Sequence, residues 1–398
     1  MAPGNSELTY LGRANWRADR RPFGILEADR FAHLYIIGKT GTGKSTLLEF
    51  MIRQDILNGH GVALFDPHGD LAERLVAWMP ESTRGRLIYL NVPDPVQPFG
   101  FNPLGGVPAL RRSLAANGLV EALKKLFLES WGPRLEYILR SAFLLLLDQP
   151  VATIADVLRL FSDATFRAEA VGRATNAQVR RFWTEEFENY PGRFRTEAVS
   201  PIENKLGSFL VDPFVSRILT VPTSTFDPRV VMDEGQVLIV NLAKGKIGEA
   251  PAMLFGSLLV AAIGLAGLSR ADGGKRRPFF LYLDEFQTFT TLALANMLSE
   301  LRKYGQAIVL STQFMDQTAP EIRAAILGNV GSLLVFRVGA ADAAKLAKEL
   351  GPTVDPVDLT FLGNRDFWIR LLVRGEAVPP FTGRTIPVDD RKDGGSGH

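Results

Sequence analysis

The sequence predicts an α/β fold with a mainly parallel central sheet and an inserted all-α domain. Short apolar runs rich in β-branched and aromatic residues recur along the chain, and helical patterns separate them. These runs are continuously apolar rather than alternating, which is typical of strands covered on both faces, as in a parallel sheet. Strand patterns are nearly absent from residue 107 to residue 210, where amphipathic helical patterns follow one another.

Seven strands are predicted in the α/β part, and one peripheral strand follows them. They are His33–Gly38, Gly61–Pro67, Arg86–Val92, Gln236–Leu242, Phe279–Glu285, Ala307–Gln313 and Ser332–Val338, with Asp366–Val373 as the peripheral strand. The helical stretch has the size of an ordinary domain. We therefore predict that residues 1–106 and 211–390 are the two parts of one α/β domain. Residues 107–210 are then the inserted all-α domain, and residues 391–398 a flexible tail.

The composition is that of an ordinary globular protein, with 46% apolar and 22% charged residues. The net charge of +2, from 45 basic and 43 acidic residues, neither demands nor excludes a nucleic-acid partner. A local basic channel can be hidden in a neutral total. The chain has no cysteine, which excludes disulfides and thiolate metal sites. Its 4 histidines form no ligand pattern, so zinc is not predicted.

One segment, Ala250–Ser269, contains no charged residue and is long enough to span a bilayer. It lies between the predicted strands Gln236–Leu242 and Phe279–Glu285. A helix that crosses over a parallel sheet is expected to be apolar nearly all round. We therefore predict a buried crossover helix rather than a membrane span. The N-terminal stretch also lacks the apolar core of a signal peptide.

The strongest motif is G-x-x-x-x-G-K-[ST], which predicts a phosphate-binding loop (P-loop) for a nucleotide. It follows an apolar run and precedes a helical one, the context that the motif requires, and this disfavours a chance glycine-rich turn. The glycines allow backbone N–H groups to surround phosphate oxygens, and the helix N-terminus adds a positive dipole. Lys44 is expected to reach the β- and γ-phosphates, and Ser45 to hold Mg²⁺. The predicted nucleotide-binding residues are Gly38, Lys39, Thr40, Gly41, Thr42, Gly43, Lys44, Ser45 and Thr46.

Two adjacent acids, Asp284 and Glu285, follow the apolar run FFLYL. Asp284 is placed to hold Mg²⁺, and Glu285 to polarise the attacking water as the catalytic base. The alternative is a helix cap and a solvated loop acid, a common fate of such residues. The presence of the P-loop makes that alternative the weaker one.

Gln313 ends the predicted strand Ala307–Gln313. If this strand neighbours the strands of the P-loop and of Asp284, its amide lies beside the γ-phosphate and can orient that phosphate and the water. An ordinary polar strand end stays open as the alternative. Asp66 closes another strand, and we expect it either to shape the same rim or to cap the turn that Pro67 and Gly69 indicate.

Hydrolysis also needs positive charge on the γ-phosphate in the transition state, usually from an arginine of the same chain or of a neighbour. Arg302 is the candidate, on a predicted helix or loop that leads into the strand of Gln313. Arg337 is a charge inside a predicted apolar strand and therefore requires a partner. The alternatives stay open: a solvated helix charge for Arg302 and an ion pair at the strand end for Arg337.

The order of these motifs resembles the FtsK–HerA superfamily of P-loop motors. The motifs are the P-loop, FDPHGDL, GFNPL, the helical insertion, LYLDEFQ, STQ and VGSLLVFRVGAADAAKL. Within that superfamily the sequence is most similar to the soluble part of type IV secretion and conjugation coupling proteins, roughly from Leu11 to Gly375. The resemblance implies a RecA-like P-loop NTPase domain and a homohexameric ring. Such a ring hydrolyses ATP with Mg²⁺ between its subunits and pumps DNA through a central channel.

The resemblance also implies residues that act across the subunit interface. Arg302 falls where the family places an arginine finger that serves the neighbouring subunit. Lys205 falls near a family lysine that reaches across the same interface, and Arg337 is a third candidate there.

Coupling proteins usually begin with transmembrane helices, whereas this chain starts almost directly with the motor. We therefore expect either a naturally soluble relative or a shortened form of a membrane protein. Its location is then the cytoplasm, or the inner membrane through a partner such as a secretion-channel or relaxosome protein.

Three functions are compatible with the motifs. They are a ring-shaped DNA translocase driven by ATP, an ATPase that energises assembly of or protein transfer through a secretion machine, and a nucleotide-controlled switch. Glu285 has little purpose without hydrolysis, which argues against the switch. Basic clusters such as Arg111–Arg112 could line a DNA path, but charge runs are more often solvated faces. The DNA translocase is the primary prediction, and the protein-handling ATPase is the alternative.

Overall fold

The computed structural model describes residues 7–15, 20–96, 99–127, 131–273 and 276–388, without the side chains of residues 296 and 297. The tail predicted at residues 391–398 lies outside these ranges. The chain divides into two compact units. The first consists of Met1–Asn91, Arg229–Ala243 and Gly267–His398, and the second of Val92–Pro228 and Lys244–Ala266. The predicted domain boundaries after residues 106 and 210 remain a prediction.

The first unit is built on an 11-stranded sheet. Its strands are β1 (Leu8–Ala14), β2 (Pro22–Leu26), β3 (Leu34–Ile37), β4 (Gly61–Asp66), β5 (Leu87–Asn91), β6 (Val237–Asn241), β7 (Phe279–Leu283), β8 (Gln306–Thr312), β9 (Ser332–Val335), β10 (Asp366–Arg370) and β13 (Phe381–Arg384). The short strands β11 (Leu372–Val373) and β12 (Glu376–Ala377) form a separate hairpin.

The strand order across the sheet is β2–β1–β13–β10–β9–β3–β8–β7–β4–β6–β5. Neighbours from β9 to β5 pair in parallel, and neighbours from β2 to β9 pair antiparallel. Strands β3, β4, β6 and β7 are buried along their whole length, as strands covered on both faces should be. The predicted α/β fold with a mainly parallel central sheet is confirmed.

The sequence does not predict the antiparallel strands β1, β2 and β13. In β1, buried residues are interspersed with partly exposed ones, and β13 has only 4 residues. Such strands lack the long continuous apolar run by which a fully covered strand is recognised. The predicted peripheral strand is divided into β10 and β11, and β9 ends at Val335 rather than at the predicted Val338.

The parallel register brings several strand ends to one edge of the sheet. Ile37 at the end of β3 pairs with Thr312 at the end of β8. Leu283 at the end of β7 pairs with Leu310 of β8 on one side and with Phe65 of β4 on the other. Because these strands run in the same direction, the segments after β3, β4, β7 and β8 all leave the sheet at its carboxyl edge. Ligands of open α/β sheets bind at this edge.

Helices and short 3₁₀ segments connect the strands of the first unit. The helices are α1 (Glu27–Arg30), α2 (Lys44–Leu57), α3 (Asp70–Trp78), α4 (Glu81–Arg84), α12 (Pro228–Asp233), α15 (Leu292–Leu301), α16 (Pro320–Asn329), α17 (Ala340–Leu350) and α18 (Pro356–Phe361). Helix α2 buries Leu47, Leu48, Met51 and Ile52 in the same apolar cluster as Ile36 of β3. This packing fixes the start of α2 against the strand that precedes it.

A buried network of charged side chains joins α1, α2 and β7. The guanidinium of Arg30 donates to the two carboxylate oxygens of Asp55 at 2.5 and 2.8 Å and to the Tyr282 hydroxyl at 2.8 Å. That hydroxyl donates to Asp55 Oδ2 at 2.5 Å. His60 Nδ1 lies 3.4 Å from Asp55 Oδ1, and His60 Nε2 lies 2.8 Å from Glu27 Oε2. Buried charges are tolerated because they are paired in this way.

The regular secondary structure of the described residues in the second unit is helical, and turns and loops connect the helices. Its helices are α5 (Arg112–Leu126), α6 (Pro133–Leu147), α7 (Asp156–Ser162), α8 (Ala164–Gly172), α9 (Ala177–Arg181), the π-helix Phe182–Phe187, α10 (Gly192–Val211), α11 (Pro213–Leu219), α13 (Lys244–Ile247) and most of α14 (Glu249–Ser269). In its core the ring of Trp183 lies 4.9 Å from that of Phe187 and 5.9 Å from that of Phe161. The predicted helical character of the described part of residues 107–210 is confirmed.

Helix α14 contains the apolar segment Ala250–Ser269. Within the described part of the chain, Glu249–Asp272 is the one helical stretch long and apolar enough to cross a membrane. Of its most apolar 18-residue window, 61% is buried inside the protein. A core helix combines length, apolarity and burial in the same way. The predicted helix is confirmed and is mostly buried, and its crossing over the sheet remains a prediction.

Candidate nucleotide-binding site

The P-loop runs from Gly38, directly after β3, to the start of α2 at Lys44. Backbone hydrogen bonds join it to the end of β8 and to the segment that follows β9, the two strands that flank β3. The N–H of Gly38 donates to the carbonyl of Thr312 at 3.2 Å, and the N–H of Lys39 donates to the carbonyl of Arg337 at 2.9 Å. The loop is therefore anchored on both sides at the carboxyl edge of the sheet.

Two positions in this loop require glycine. Gly43 has φ of 120°, which other residues rarely adopt, and a Cβ there would lie 3.3 Å from Cα of Arg365. A Cβ on Gly38 would lie only 2.5 Å from Cβ of Phe336. These glycines allow the tight curve of a phosphate-binding loop.

The ammonium group of Lys44 is held inside the loop. Its Nζ donates to the carbonyl oxygens of Gly38 at 2.6 Å and Lys39 at 3.3 Å, and the residue is only 6% exposed. Burial lowers the pKa of Lys44, although the carboxylates of Glu285 and Asp284 act in the opposite direction. The lysine of the motif and the two predicted acids are thus close enough to interact electrostatically.

The other residues of the motif lie in the loop and in the first turn of α2. Ser45 and Thr46 are half-buried in the first turn of α2. The hydroxyl of Thr42 donates to the carbonyl of Lys39 at 2.7 Å, a hydrogen bond between two residues of the loop. Gly41 has φ of 75° and is exposed. Ser45 therefore stands at the helix N-terminus, where the motif requires a magnesium ligand.

Asp284 and Glu285 directly follow β7, and both are 5% exposed. The N–H of Glu285 donates to Asp284 Oδ1 at 3.2 Å. Glu285 has φ of 47°, a left-handed conformation that costs a non-glycine residue roughly 1–2 kcal/mol and is concentrated at functional sites. Burial, and then the charges of Asp66 and Glu285, raise the pKa of Asp284 to about 7. A bound cation would relieve this accumulation of negative charge.

Gln287, which sequence reasoning did not single out, holds the carboxylate of Glu285. Its Nε2 donates to Glu285 Oε2 at 2.6 Å and to Gln317 Oε1 at 3.1 Å. The hydroxyl of Thr312, the last residue of β8, donates to Gln287 Oε1 at 2.9 Å. The motif LYLDEFQ contains this glutamine, but its role depends on contacts with residues distant in the sequence.

Gln313 lies next to the P-loop. Its Oε1 accepts a hydrogen bond from the Thr40 hydroxyl at 2.9 Å. The strand that it follows, β8, pairs with both β3 and β7, as the prediction for Gln313 requires. An open pocket of about 530 Å³ adjoins the loop on this side, with Lys39, Thr40, Gln313 and Phe314 among its lining residues.

Asp66, at the end of β4, caps the start of α3. Its Oδ1 accepts from the N–H of His68 and its Oδ2 from the N–H of Ala72, both at 2.9 Å. The capping alternative that the sequence left open is confirmed. The charge of Asp66 nevertheless acts on Asp284, whose pKa it helps to raise.

Arg302 does not join these residues within the chain. It begins the 3₁₀ helix Arg302–Tyr304 just before β8, as predicted, and it is exposed. Gln313 follows the other end of β8. Burial lowers the pKa of His33, which precedes β3, to about 4, and the nearby charge of Arg302 acts in the same direction. Arg302 therefore lies at the edge of the sheet opposite to the P-loop.

The two weaker interface candidates occupy different surroundings. Arg337 was expected inside a strand, and this is wrong, because β9 ends at Val335. The guanidinium donates to the carbonyl of Leu362 at 3.2 Å and to Asn364 Oδ1 at 2.9 Å. Lys205 lies exposed on α10 in the helical unit, with Nζ 5.9 Å from the centre of the Phe127 ring. The interface roles of both residues remain predictions.

The donor set fits a nucleotide together with a hard divalent cation. The Ser45 hydroxyl and the Asp284 carboxylate are the oxygen ligands that Mg²⁺ prefers. Lys44 and the N-terminus of α2 supply positive charge for phosphate groups. The acidic surroundings of Asp284 support a cation site at the same place.

Two family models match the sequence. Residues 25–250, more than half of the chain, match the model described as the central domain of helicase HerA. Residues 232–353 match the model described as the type IV secretion-system coupling protein DNA-binding domain. No curated protein matches the sequence.

Several solved structures share the fold. The unbound monoclinic form of the bacterial conjugative coupling protein TrwBdeltaN70 superposes with a TM-score of 0.67 at 16% identity, covering 96% of this chain and 89% of that chain. The plasmid coupling protein TrwB in complex with the non-hydrolysable ATP analogue ADPNP gives 0.66 at 18% identity, covering 91% and 87%. VirB4 of Thermoanaerobacter pseudethanolicus gives 0.64 at 12% identity, covering 98% of each chain. At these identities the likeness shows the fold alone.

Proposed function

Because the chain belongs to the family of the helicase HerA central domain, we propose that it is an ATP-hydrolysing, ring-shaped motor. We propose further that it moves DNA, or a DNA–protein substrate, in a type IV secretion or conjugation system. The observation that carries the proposal is the meeting of the P-loop, two adjacent buried acids and Gln313 at one edge of the sheet.

Each of these residues has a role in ATP hydrolysis. Lys44 neutralises the β- and γ-phosphates, and Ser45 and Asp284 hold the metal. Mg²⁺, when bound, neutralises charge that develops on the transferred phosphoryl group. Glu285 accepts a proton from the attacking water, and Gln313 orients that water and the γ-phosphate. TrwB forms complexes with ADPNP and with ADP and Mg²⁺, which is consistent with this assignment.

Arg302 supplies the remaining positive charge from a neighbouring copy. It is exposed, and its place at the opposite edge of the sheet prevents it from serving its own P-loop. A homohexameric ring, the assembly that the sequence resemblance implies, would bring it to the next site. Lys205 is proposed as a second, weaker contributor across the same interface.

The match of residues 232–353 to a coupling protein DNA-binding domain supports DNA as the substrate. The net charge of +2 gives no independent support, because it is close to neutral. Secretion-channel or relaxosome proteins are the proposed partners, and the cytoplasm, or the face of the inner membrane through such a partner, is the proposed location.

The test compares ATP hydrolysis by the purified protein with and without single- and double-stranded DNA, at low and at raised salt. We expect DNA to increase the rate, and DNA binding to weaken steeply as salt rises, because phosphate contacts release counterions. A rate indifferent to DNA at low salt would contradict the DNA motor and support the protein-handling ATPase. Mass measurement with ATP, with and without DNA, tests ring formation at the same time.

The variant Glu285→Gln tests the assignment of the base. We expect it to bind ATP as tightly as the wild type and to lose hydrolysis by roughly 10²- to 10⁴-fold, the usual contribution of a general base. The substitution keeps the side-chain shape while removing the proton acceptor. Turnover close to that of the wild type would exclude Glu285 as the catalytic base.

A further inference from the structure

The segments that follow β9 and precede β10 are bound to opposite ends of the P-loop. The carbonyl of Arg337 accepts from the N–H of Lys39 at 2.9 Å. The N–H of Arg365 donates to the carbonyl of Thr42 at 2.8 Å. Strands β9 and β10 lie on the side of β3 away from β8 and β7. The P-loop is therefore braced on the side that faces away from the catalytic acids.

Arg337 and Asn364 connect these two segments. The Arg337 guanidinium donates to the carbonyl of Leu362 at 3.2 Å and to Asn364 Oδ1 at 2.9 Å. It thus holds Leu362 and Asn364, in the segment that directly precedes Arg365. These contacts occupy Arg337 within its own chain and tie the position of Arg365 to the P-loop.

Arg365 itself presents a charged side chain next to the loop. Its φ is 71°, and it is exposed. If Gly43 carried a Cβ, that atom would lie 3.3 Å from Cα and 3.5 Å from Cγ of Arg365. Among the described residues, the Arg365 guanidinium has no hydrogen-bond or ion-pair partner. Arg365 thus has a left-handed backbone that is hydrogen-bonded to the phosphate-binding loop, and its guanidinium is available to bind a ligand of that loop.

The sheet order indicates which part of the nucleotide is near Arg365. The acids after β7 and Gln313 after β8 mark the side of the γ-phosphate and the metal. The rest of a nucleotide bound in the P-loop must extend away from them, toward β9 and β10. We propose that Arg365 binds the nucleotide at its α-phosphate and ribose, and that Arg337 and Asn364 are positioning residues for it. The proposal rests on the proposed function, since it requires a nucleotide in the P-loop.

A contact at the α-phosphate contributes equally to di- and triphosphates, because both contain it. A charge-assisted hydrogen bond from a guanidinium to phosphate is worth roughly 1.5–3 kcal/mol. Each 1.4 kcal/mol corresponds to about a tenfold change in affinity. Removal of the guanidinium should therefore weaken ADP and an ATP analogue by the same factor, of about tenfold or more.

The experiment measures the dissociation constants of ADP and ADPNP, with Mg²⁺, for the full chain and its variants by calorimetry. Arg365→Ala and Arg365→Gly should each raise both constants about tenfold. The glycine variant accepts the left-handed backbone without strain, so it separates loss of the guanidinium from misfolding. Arg337→Ala should weaken binding less, and should add nothing in combination with Arg365→Ala, since it acts through that residue.

Arg374→Ala is the matched control. Arg374 also has a left-handed backbone, with φ of 54°, and is exposed, but it lies in the β11–β12 hairpin, where its N–H donates to Asp29. It should leave both constants unchanged. Unchanged affinity in the Arg365 variants, or a loss confined to ADPNP, would overturn the assignment and leave the proposed function intact. A wild-type protein that binds neither nucleotide would overturn both.

Discussion

At the scale of single residues, the carboxylate of Glu285, which follows β7, is held in place by a hydrogen bond from a neighbouring side chain. Its backbone is left-handed, with φ of 47°. Gln287 Nε2 donates to its Oε2 at 2.6 Å, and Gln287 is fixed in turn by Thr312 and Gln317. A general base must first have the correct reach and alignment, and only then a suitable pKa. Gln287 is therefore the residue on which the alignment of the proposed base depends.

Gln287→Ala should lower the rate of ATP hydrolysis while leaving nucleotide affinity unchanged. The reason is that the variant releases the carboxylate of Glu285 but leaves the P-loop intact. Misplacement of a catalytic group by about 1 Å can cost about a hundredfold in rate, so a loss between tenfold and a hundredfold is expected. Steady-state hydrolysis and binding of ADPNP measure the two effects separately.

Gln317→Ala serves as the control for this substitution. Gln317 accepts from Gln287 and from the Thr312 hydroxyl, at 3.1 and 3.2 Å, and has no hydrogen bond to Glu285. Its loss should therefore reduce the rate much less. Equal rates for the Gln287 variant and the wild type would show that Glu285 does not need this support.

At the scale of elements, α2 and β7 are tied together at a distance from the site. Helix α2 starts with Lys44 and carries Asp55 near its end, while β7 carries Tyr282 and is followed by Asp284. The Arg30–Asp55–Tyr282 network joins these two elements in the interior. Buried charges therefore hold together the two elements that supply Lys44 and Asp284 to the site.

His60 makes the stability of this buried network dependent on pH. Burial alone would lower the pKa of the imidazole, but the carboxylates of Asp55 and Glu27 outweigh it and raise the pKa from 6.5 to about 9. Such a group stabilises the fold fully below pH 6.5, and the contribution is lost as pH rises through about 9. Its upper limit is about 3 kcal/mol, at about 1.36 kcal/mol for each pKa unit.

The measurement is denaturant unfolding of the wild type and of His60→Gln below pH 6.5 and above pH 9. Below pH 6.5 we expect the wild type to have a larger free energy of unfolding than His60→Gln. Above pH 9 this difference between the two proteins should shrink. His68→Gln is the control, because His68 is exposed. This substitution should leave the free energy of unfolding unchanged at both pH values. A difference between the wild type and the His60 variant that does not depend on pH would contradict a charged His60 in the folded protein.

At the scale of the whole molecule, Arg302, the arginine that we propose for the transition state of ATP hydrolysis, lies away from the P-loop of its own chain. Lys44, Asp284, Glu285 and Gln313 meet at the carboxyl edge of the sheet, and Arg302 lies exposed at the opposite edge. Such a division of parts is expected for a site that is completed by a second copy. Activity should then depend on assembly and not only on the fold of the single chain.

Arg302→Ala should abolish hydrolysis, by roughly 10³-fold or more if it removes an arginine finger. Mixing it with Lys44→Ala should restore part of the activity. In mixed assemblies, an intact P-loop from one variant meets an intact Arg302 from the other. Hydrolysis rates across mixing ratios, with mass measurement to verify that mixed assemblies form, provide the test.

Lys303→Ala is the matched control, since Lys303 is the exposed neighbour of Arg302 and pairs with Glu300 at 3.0 Å. It should remain active when tested alone. If mixed assemblies of the Arg302 and Lys44 variants form but stay inactive at every ratio, Arg302 does not act on a neighbouring copy.

Much of the central sheet could be predicted from the sequence, because a strand covered on both faces is apolar without interruption. The predicted strands around β3, β4, β6, β7 and β8 are present within a residue or two of their observed limits. The antiparallel strands β1, β2 and β13 could not be predicted in this way, because they are shorter or only partly buried. The end of β9 was misplaced because Phe336 and Val338 are buried beyond the strand, so burial did not mark its limit.

The sequence by itself determined the P-loop, its glycines and the acids after β7, because these functions require particular residue types at fixed local spacing. Only the tertiary structure decided that Gln287 holds Glu285 and that Asp66 caps α3. It also decided that Arg337 binds Asn364, which directly precedes Arg365 beside the P-loop. Each of these contacts joins residues through the pairing of strands or the packing of loops. Local sequence patterns do not predict such contacts, because they form only when the chain folds and the register of the sheet is set.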